Sequence, residues 1–158
     1  MSLVHLAPPW LVALLLALLL AAAVEDGWRM RIANAFPAAI LLLAVAAAIL
    51  AGPRLALWQN FVNFAALLAV GTFLFGARLL GGGDVKLLAA SGLWFDFAGA
   101  GRMLLLVALA GGMLAILLLS LRPVVRGGGG WAVLQPRGGI PYGIAIAAGV
   151  AAAAVLLR

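Results

Sequence analysis

The 158-residue chain has no cysteine, a single histidine and only four acidic residues. Without thiols there is no disulfide, no thiolate zinc site and no cysteine nucleophile, and His5 cannot build a metal cluster alone. No metal and no cofactor is expected. Charge of either sign is scarce as well. Charged residues make up 9% of the chain against 68% hydrophobic, far from the balance of a soluble globular domain. The chain therefore reads as an all-α, polytopic membrane protein. The ten basic residues give a net charge of +6. They are scattered between apolar runs rather than gathered into a stripe, so they signal topology and membrane lipid rather than nucleic acid.

What is present is a series of apolar runs. Six membrane segments are predicted, at Pro9–Val24, Ala35–Ala51, Leu55–Ala77, Val85–Phe97, Met103–Leu121 and Ile140–Leu157. Residues 1–158 have room for one membrane-embedded domain. Pro8-Pro9 suits a helix start and Gly52-Pro53 a stop, and the run from Arg126 to Gly139 reads as the one substantial loop. The first segment ends in three alanines, as a cleavable signal would, but no Lys or Arg precedes it and further apolar runs follow, so it is expected to stay.

Six crossings put Arg29, Arg31, Arg78, Lys86, Arg122, Arg126 and Arg137 on one side and Arg54, Arg102 and Arg158 on the other. Basic loops face the cytoplasm, so both termini are expected outside, with Asp26 and Asp84 sharing the cytoplasmic side.

The fourth segment is short. Its roughly 13 residues reach about 20 Å at about 1.5 Å per residue, against a hydrocarbon core of about 30 Å. It cannot span with Asp84 out in water, so the Gly81–Gly83 turn is expected within the membrane, where non-helical backbone needs protein or a wet cavity around it. An acid at that depth is costly and suggests function, although many carboxylates at membrane ends are merely solvated.

Spacing decides which acids can meet. Asp96 lies about 18 Å beyond Asp84 along a continuous helix and reads as an outer helix-end residue. Glu25 and Asp26 both emerge on the side of Asp84, and only one of two helix neighbours can face the same pocket. Two carboxyls meeting in a partly dry pocket share one proton, because like charges at short range do not both ionise cheaply. The ionised acid can draw a proton from water while the protonated one donates to an amide oxygen, which hydrolyses a peptide without a covalent intermediate. The same acids would also suit a proton relay in a small proton-coupled transporter or channel subunit. Such a protein would more often show broken helices in related halves, and no internal repeat is visible here.

Three stretches resemble the type IV prepilin peptidase family, the GxGD-type membrane aspartyl proteases, in its short pilus-assembly form. "GGGDVKLLAA" is similar to the second aspartate motif, making Asp84 one catalytic acid and Gly81 and Gly83 its turn glycines. "DGWRMRIANAF" is similar to the first, whose register selects Asp26 over Glu25. Arg29, Arg31, Ile32 and Asn34 fall where that motif expects them, while Ala33 stands in place of its proline. "GGIPYGIAIAAG" is similar to the last-helix motif, with Pro141 and Gly143 opening the final segment. The resemblance implies a bacterial inner-membrane endopeptidase that removes the basic leader of a type IV (Tad/Flp-like) prepilin on the cytoplasmic side. The larger members also methylate the new N-terminus through an added, often cysteine-zinc, domain, and peptidase activity alone is expected here. Retention of the fold by a non-catalytic assembly protein is a third reading.

Lys86 is a candidate substrate contact, with snorkelling to the interface as its alternative. Asn34 either hydrogen-bonds near the acids or caps a helix. The five tryptophans, Trp10, Trp28, Trp58, Trp94 and Trp131, fit an interfacial belt. Small-residue runs such as "ALAGGMLA" serve internal packing or homo-oligomerisation equally well.

Overall fold

The computed structural model describes residues 2–52, 57–121 and 140–157. Among them the chain forms seven helices and no strand: α1 (Leu3–Leu6), α2 (Pro9–Arg29), α3 (Ala35–Ala51), α4 (Trp58–Gly76), α5 (Gly82–Gly92), α6 (Phe97–Leu121) and α7 (Tyr142–Leu156). The stop at Pro53, the start of the third segment at Leu55, the loop from Arg126 to Gly139, Trp131, and Arg54, Arg122, Arg126, Arg137 and Arg158 lie outside the described residues.

The helices begin and end for local reasons. Pro9 supplies a preset φ where its missing N–H is not needed, so α2 starts there. Gly52, at φ +76°, ends α3 in a conformation that side chains avoid. Three helices, α2, α4 and α6, are long and apolar enough to cross a membrane, and α3 and α7 are shorter apolar helices. Two boundaries differ from the sequence reading in ways that matter. Helix α2 runs on through Asp26 to Arg29, and α5 begins at Gly82, so that only Gly81 of the triple glycine is extended. At 11 residues α5 is shorter than a membrane span.

Other elements make up that missing length. After Gly92 the chain turns through Leu93–Phe95 and restarts at Phe97 as α6. Two buried side chains of α4 serve this non-helical backbone: Asn60 Nδ2 donates to the Leu93 carbonyl (3.0 Å) and Asn63 Nδ2 to that of Phe95 (2.7 Å). Lipid offers no partner for a bare carbonyl, so these amides let the chain leave helical geometry at this depth. The small α1, which was not expected, closes over the same turn through Val4 N–H to the Trp94 carbonyl (3.3 Å). Trp94 is a correction to the interfacial belt. Trp10, Trp28 and Trp58 are exposed, but Trp94 is fully buried and its indole N–H faces the Ile40 carbonyl at 3.4 Å, because the turn carries it inward between α1 and α3.

In lipid the interior gains little over the outside from apolarity alone, so close packing of small residues holds the helices together. The core shows this in Ala22, Ala44, Ala47, Ala90, Ala147, Ala153 and Ala154. Helices α6 and α7 share the most extensive contact, and a Cβ on Gly149 would fall 2.4 Å from the Val107 backbone nitrogen. Most of the remaining α6 side chains are apolar and exposed or half-buried, as on a helix against lipid, Arg102 being the charged exception.

Candidate active site

Asp26 sits in the last turn of α2 and is 5% exposed. Its Oδ2 accepts a hydrogen bond from the Gly143 N–H at 2.8 Å. That donor is free because Gly143 lies in the first turn of α7, where backbone N–H groups have no partner in their own helix. Gly143 must be glycine for this contact. A Cβ there would lie 2.7 Å from Asp26 Oδ2 and 2.6 Å from Ile32 Cδ1.

Asp84 occupies the first turn of α5, where its Oδ2 accepts from the Gly81 N–H at 3.2 Å. This is half of a capping box, a structural task that any N3 acid can perform. Its electrostatics go further. Burial first, and then the nearby Asp26 carboxylate, push Asp84 up to about 6, against the Gly81 hydrogen bond. The two acids, carried by different helices, are therefore near enough for the charge of Asp26 to bear on Asp84.

The remaining acids do other things. Glu25 turns away from Asp26, accepting the Ala33 N–H at Oε2 (2.8 Å) and lying 3.8 Å from the exposed Arg29 guanidinium. Asp96 is at the far end of α5, where it accepts from Ser2 Oγ (3.0 Å) and from the Gly99 N–H (2.9 Å) at the start of α6. Burial works to raise the Asp96 carboxyl, but hydrogen bonds, those from the Gly99 N–H and Ser2 among them, outweigh it and hold it below the usual range.

Of the other residues singled out by sequence, Lys86 and Asn34 meet each other: Lys86 Nζ donates to Asn34 Oδ1 at 2.9 Å. Asn34 precedes α3 without making a side-chain cap. Gly83 lies against Ile32, with a Cβ there 3.0 Å from Ile32 Cβ. Pro141 directly precedes α7 and sets up the Gly143 turn. Sequence reasoning gave Ile32 no task and took Gly143 only as a helix opener. Both roles depend on contacts between segments far apart in the chain, for which a single sequence carries no signal.

An apolar groove of about 450 Å³ lies between α5, α6 and α7. Its lining includes Leu80 and Tyr142, each one residue from a backbone donor to an acid, and Gly111, Gly112 and Ala115 along α6. No group of three or more metal-binding side chains occurs among the described residues. Comparison with curated proteins and with solved structures returned no match. The model of the type IV leader peptidase family matches residues 13–119, which take in both aspartates and reach from α2 into α6, and the chain belongs to that peptidase family.

Proposed function

We propose that the chain is a single-domain aspartyl endopeptidase of the bacterial inner membrane that removes the leader of a Tad/Flp-like type IV prepilin on the cytoplasmic side, with Asp26 and Asp84 as its catalytic pair. The observation that supports this is geometric: Ile32 lies against both Gly83, next to Asp84, and Gly143, the donor to Asp26, and the charge of Asp26 is among the causes that raise Asp84. Two acids so placed hold one proton between them. The ionised acid takes a proton from water as the oxygen attacks the scissile carbonyl carbon, and the protonated acid donates to the carbonyl oxygen. Collapse of the tetrahedral adduct breaks the C–N bond and returns a proton to the leaving amine. No metal or cofactor enters. The groove between α5, α6 and α7 suits the apolar helix that follows the cleavage point, and six crossings with both termini outside would put the pair on the cytoplasmic side.

Co-expression with a candidate prepilin in membranes, followed by leader removal, tests the reading. Wild type is expected to cleave and Asp26→Asn and Asp84→Asn to lose cleavage, while Asp96→Asn, at the other end of α5, cleaves normally. Processing that survives Asp84→Asn refutes it.

A further inference from the structure

The loop between α2 and α3 passes against the first turns of α5 and α7, and three features fix its path. Met30 takes a left-handed conformation (φ 54°, ψ 35°) that ends α2 and redirects the chain. Glu25 Oε2 then holds the Ala33 N–H, and Lys86 Nζ holds Asn34 Oδ1, which ties the loop to α2 on one side and α5 on the other. Between Met30 and these ties lies Ile32, half-buried. One end of the residue lies against Gly83 of α5: the position of a Cβ there is 3.0 Å from Ile32 Cβ and 3.3 Å from the Ile32 carbonyl oxygen. The other end lies against Gly143 of α7, with Cδ1 2.6 Å from the position of a Cβ that is itself 2.7 Å from Asp26 Oδ2. Two glycines on separate helices thus leave room for one side chain, beside one acid and next in sequence to the other.

We infer that Ile32 is a positioning residue for the acid pair, an apolar wedge between the first turns of α5 and α7 that keeps the space joining Asp26 and Asp84 dry. The inference rests on the catalytic reading of those acids. Its chemical content is dielectric: two carboxyls share a proton strongly only where water does not screen them. The other charged or titratable groups around the pair are Glu25 and Arg29 on α2, Arg31 in the loop, Arg78 before α5, Lys86 on α5 and Tyr142 on α7. Glu25 and Lys86 are engaged in holding the loop.

The test is the pH profile of kcat for purified enzyme cleaving a prepilin, with Ile32→Val, Ile32→Ala, Glu25→Gln and Glu25→Ala compared with wild type. Ile32→Ala admits water, so the acid and base limbs of the profile draw together by about one pH unit. Its kcat falls about tenfold with KM nearly constant, because geometry rather than substrate contact is lost. Ile32→Val keeps the wedge and most of the limb separation. Both Glu25 variants remove the same charge, but only Gln retains an acceptor for the Ala33 N–H, so Glu25→Ala is expected to narrow the profile more than Glu25→Gln. An unchanged or wider separation in Ile32→Ala overturns the inference, whether the loss then falls on KM, marking a substrate contact, or on thermal stability, marking a core filler. Should Ile32→Ala not fold, identical profiles for the two Glu25 variants overturn it equally. Asp84→Asn run alongside separates the two levels of the argument, since cleavage by that variant would remove the catalytic reading itself rather than the wedge alone.

Discussion

Replacing Asp84 by asparagine is expected to abolish cleavage and at the same time to stabilise the protein, by an amount that depends on pH. The folded protein pushes this carboxyl from 3.8 to about 6, chiefly through burial and next through Asp26. At about 1.4 kcal/mol per pH unit, that places an upper bound of about 3 kcal/mol on what the ionised side chain costs the fold. Asp84 keeps some contact with water, so about 2 kcal/mol is a fairer figure. A carboxyl raised on folding binds its proton more tightly in the folded than in the unfolded state. Wild-type stability from this group is therefore highest below about pH 4, declines between about pH 4 and 6, and carries the full penalty above that. Asparagine cannot ionise and still offers an oxygen to the Gly81 N–H. Thermal unfolding in detergent should show the variant about 4–8 °C above wild type near pH 7.5 and level with it near pH 4. In an Asp26→Asn background the gain should shrink, because the second cause of the shift is gone. An equal gain at both pH values, or a loss near pH 7.5, would show that Asp84 is not the strained acid described here.

Gly143→Ala should lower cleavage sharply, by about tenfold or more, since its methyl would displace either the Asp26 carboxylate or Ile32, whereas Gly76→Ala, with open space around it, should be neutral or slightly stabilising. Asn63→Leu should lower stability by about 1–3 kcal/mol in a detergent unfolding assay, because the Phe95 carbonyl loses its side-chain donor. Gly149→Val should cost at least about 1–3 kcal/mol in the same assay by forcing α7 away from the Val107 backbone, which cannot move aside as a side-chain tip can.

Much of this arrangement is legible in the sequence. The apolar runs mark the large helices, and the glycine-preceded acid singles out Asp84 as a candidate, since an acid beside a membrane segment is costly. The resemblance of the first motif then picks Asp26 over Glu25; in the structure Asp26 is buried, while Glu25, also on α2, accepts the Ala33 N–H of the following loop. Less of it is visible where meaning lies in a distant contact. Asn60 and Asn63 look like ordinary polar residues near a helix start until the α5–α6 turn brings bare carbonyls to them. Trp94 has the sequence context of an interfacial tryptophan and is buried by a turn that periodicity does not reveal. Helix α1 has four residues, too few for any periodic signal.

The paired asparagines of α4 also bear on biogenesis. A segment as short as α5, followed by unsatisfied backbone, is a poor substrate for independent insertion by a translocon. Its partner amides are synthesised first, since α4 leaves the ribosome ahead of it. The order of elements along the chain thus lets one helix act as an internal chaperone for the next, and a permuted gene that delivered α5 before α4 would have to hold those carbonyls with nothing to receive them.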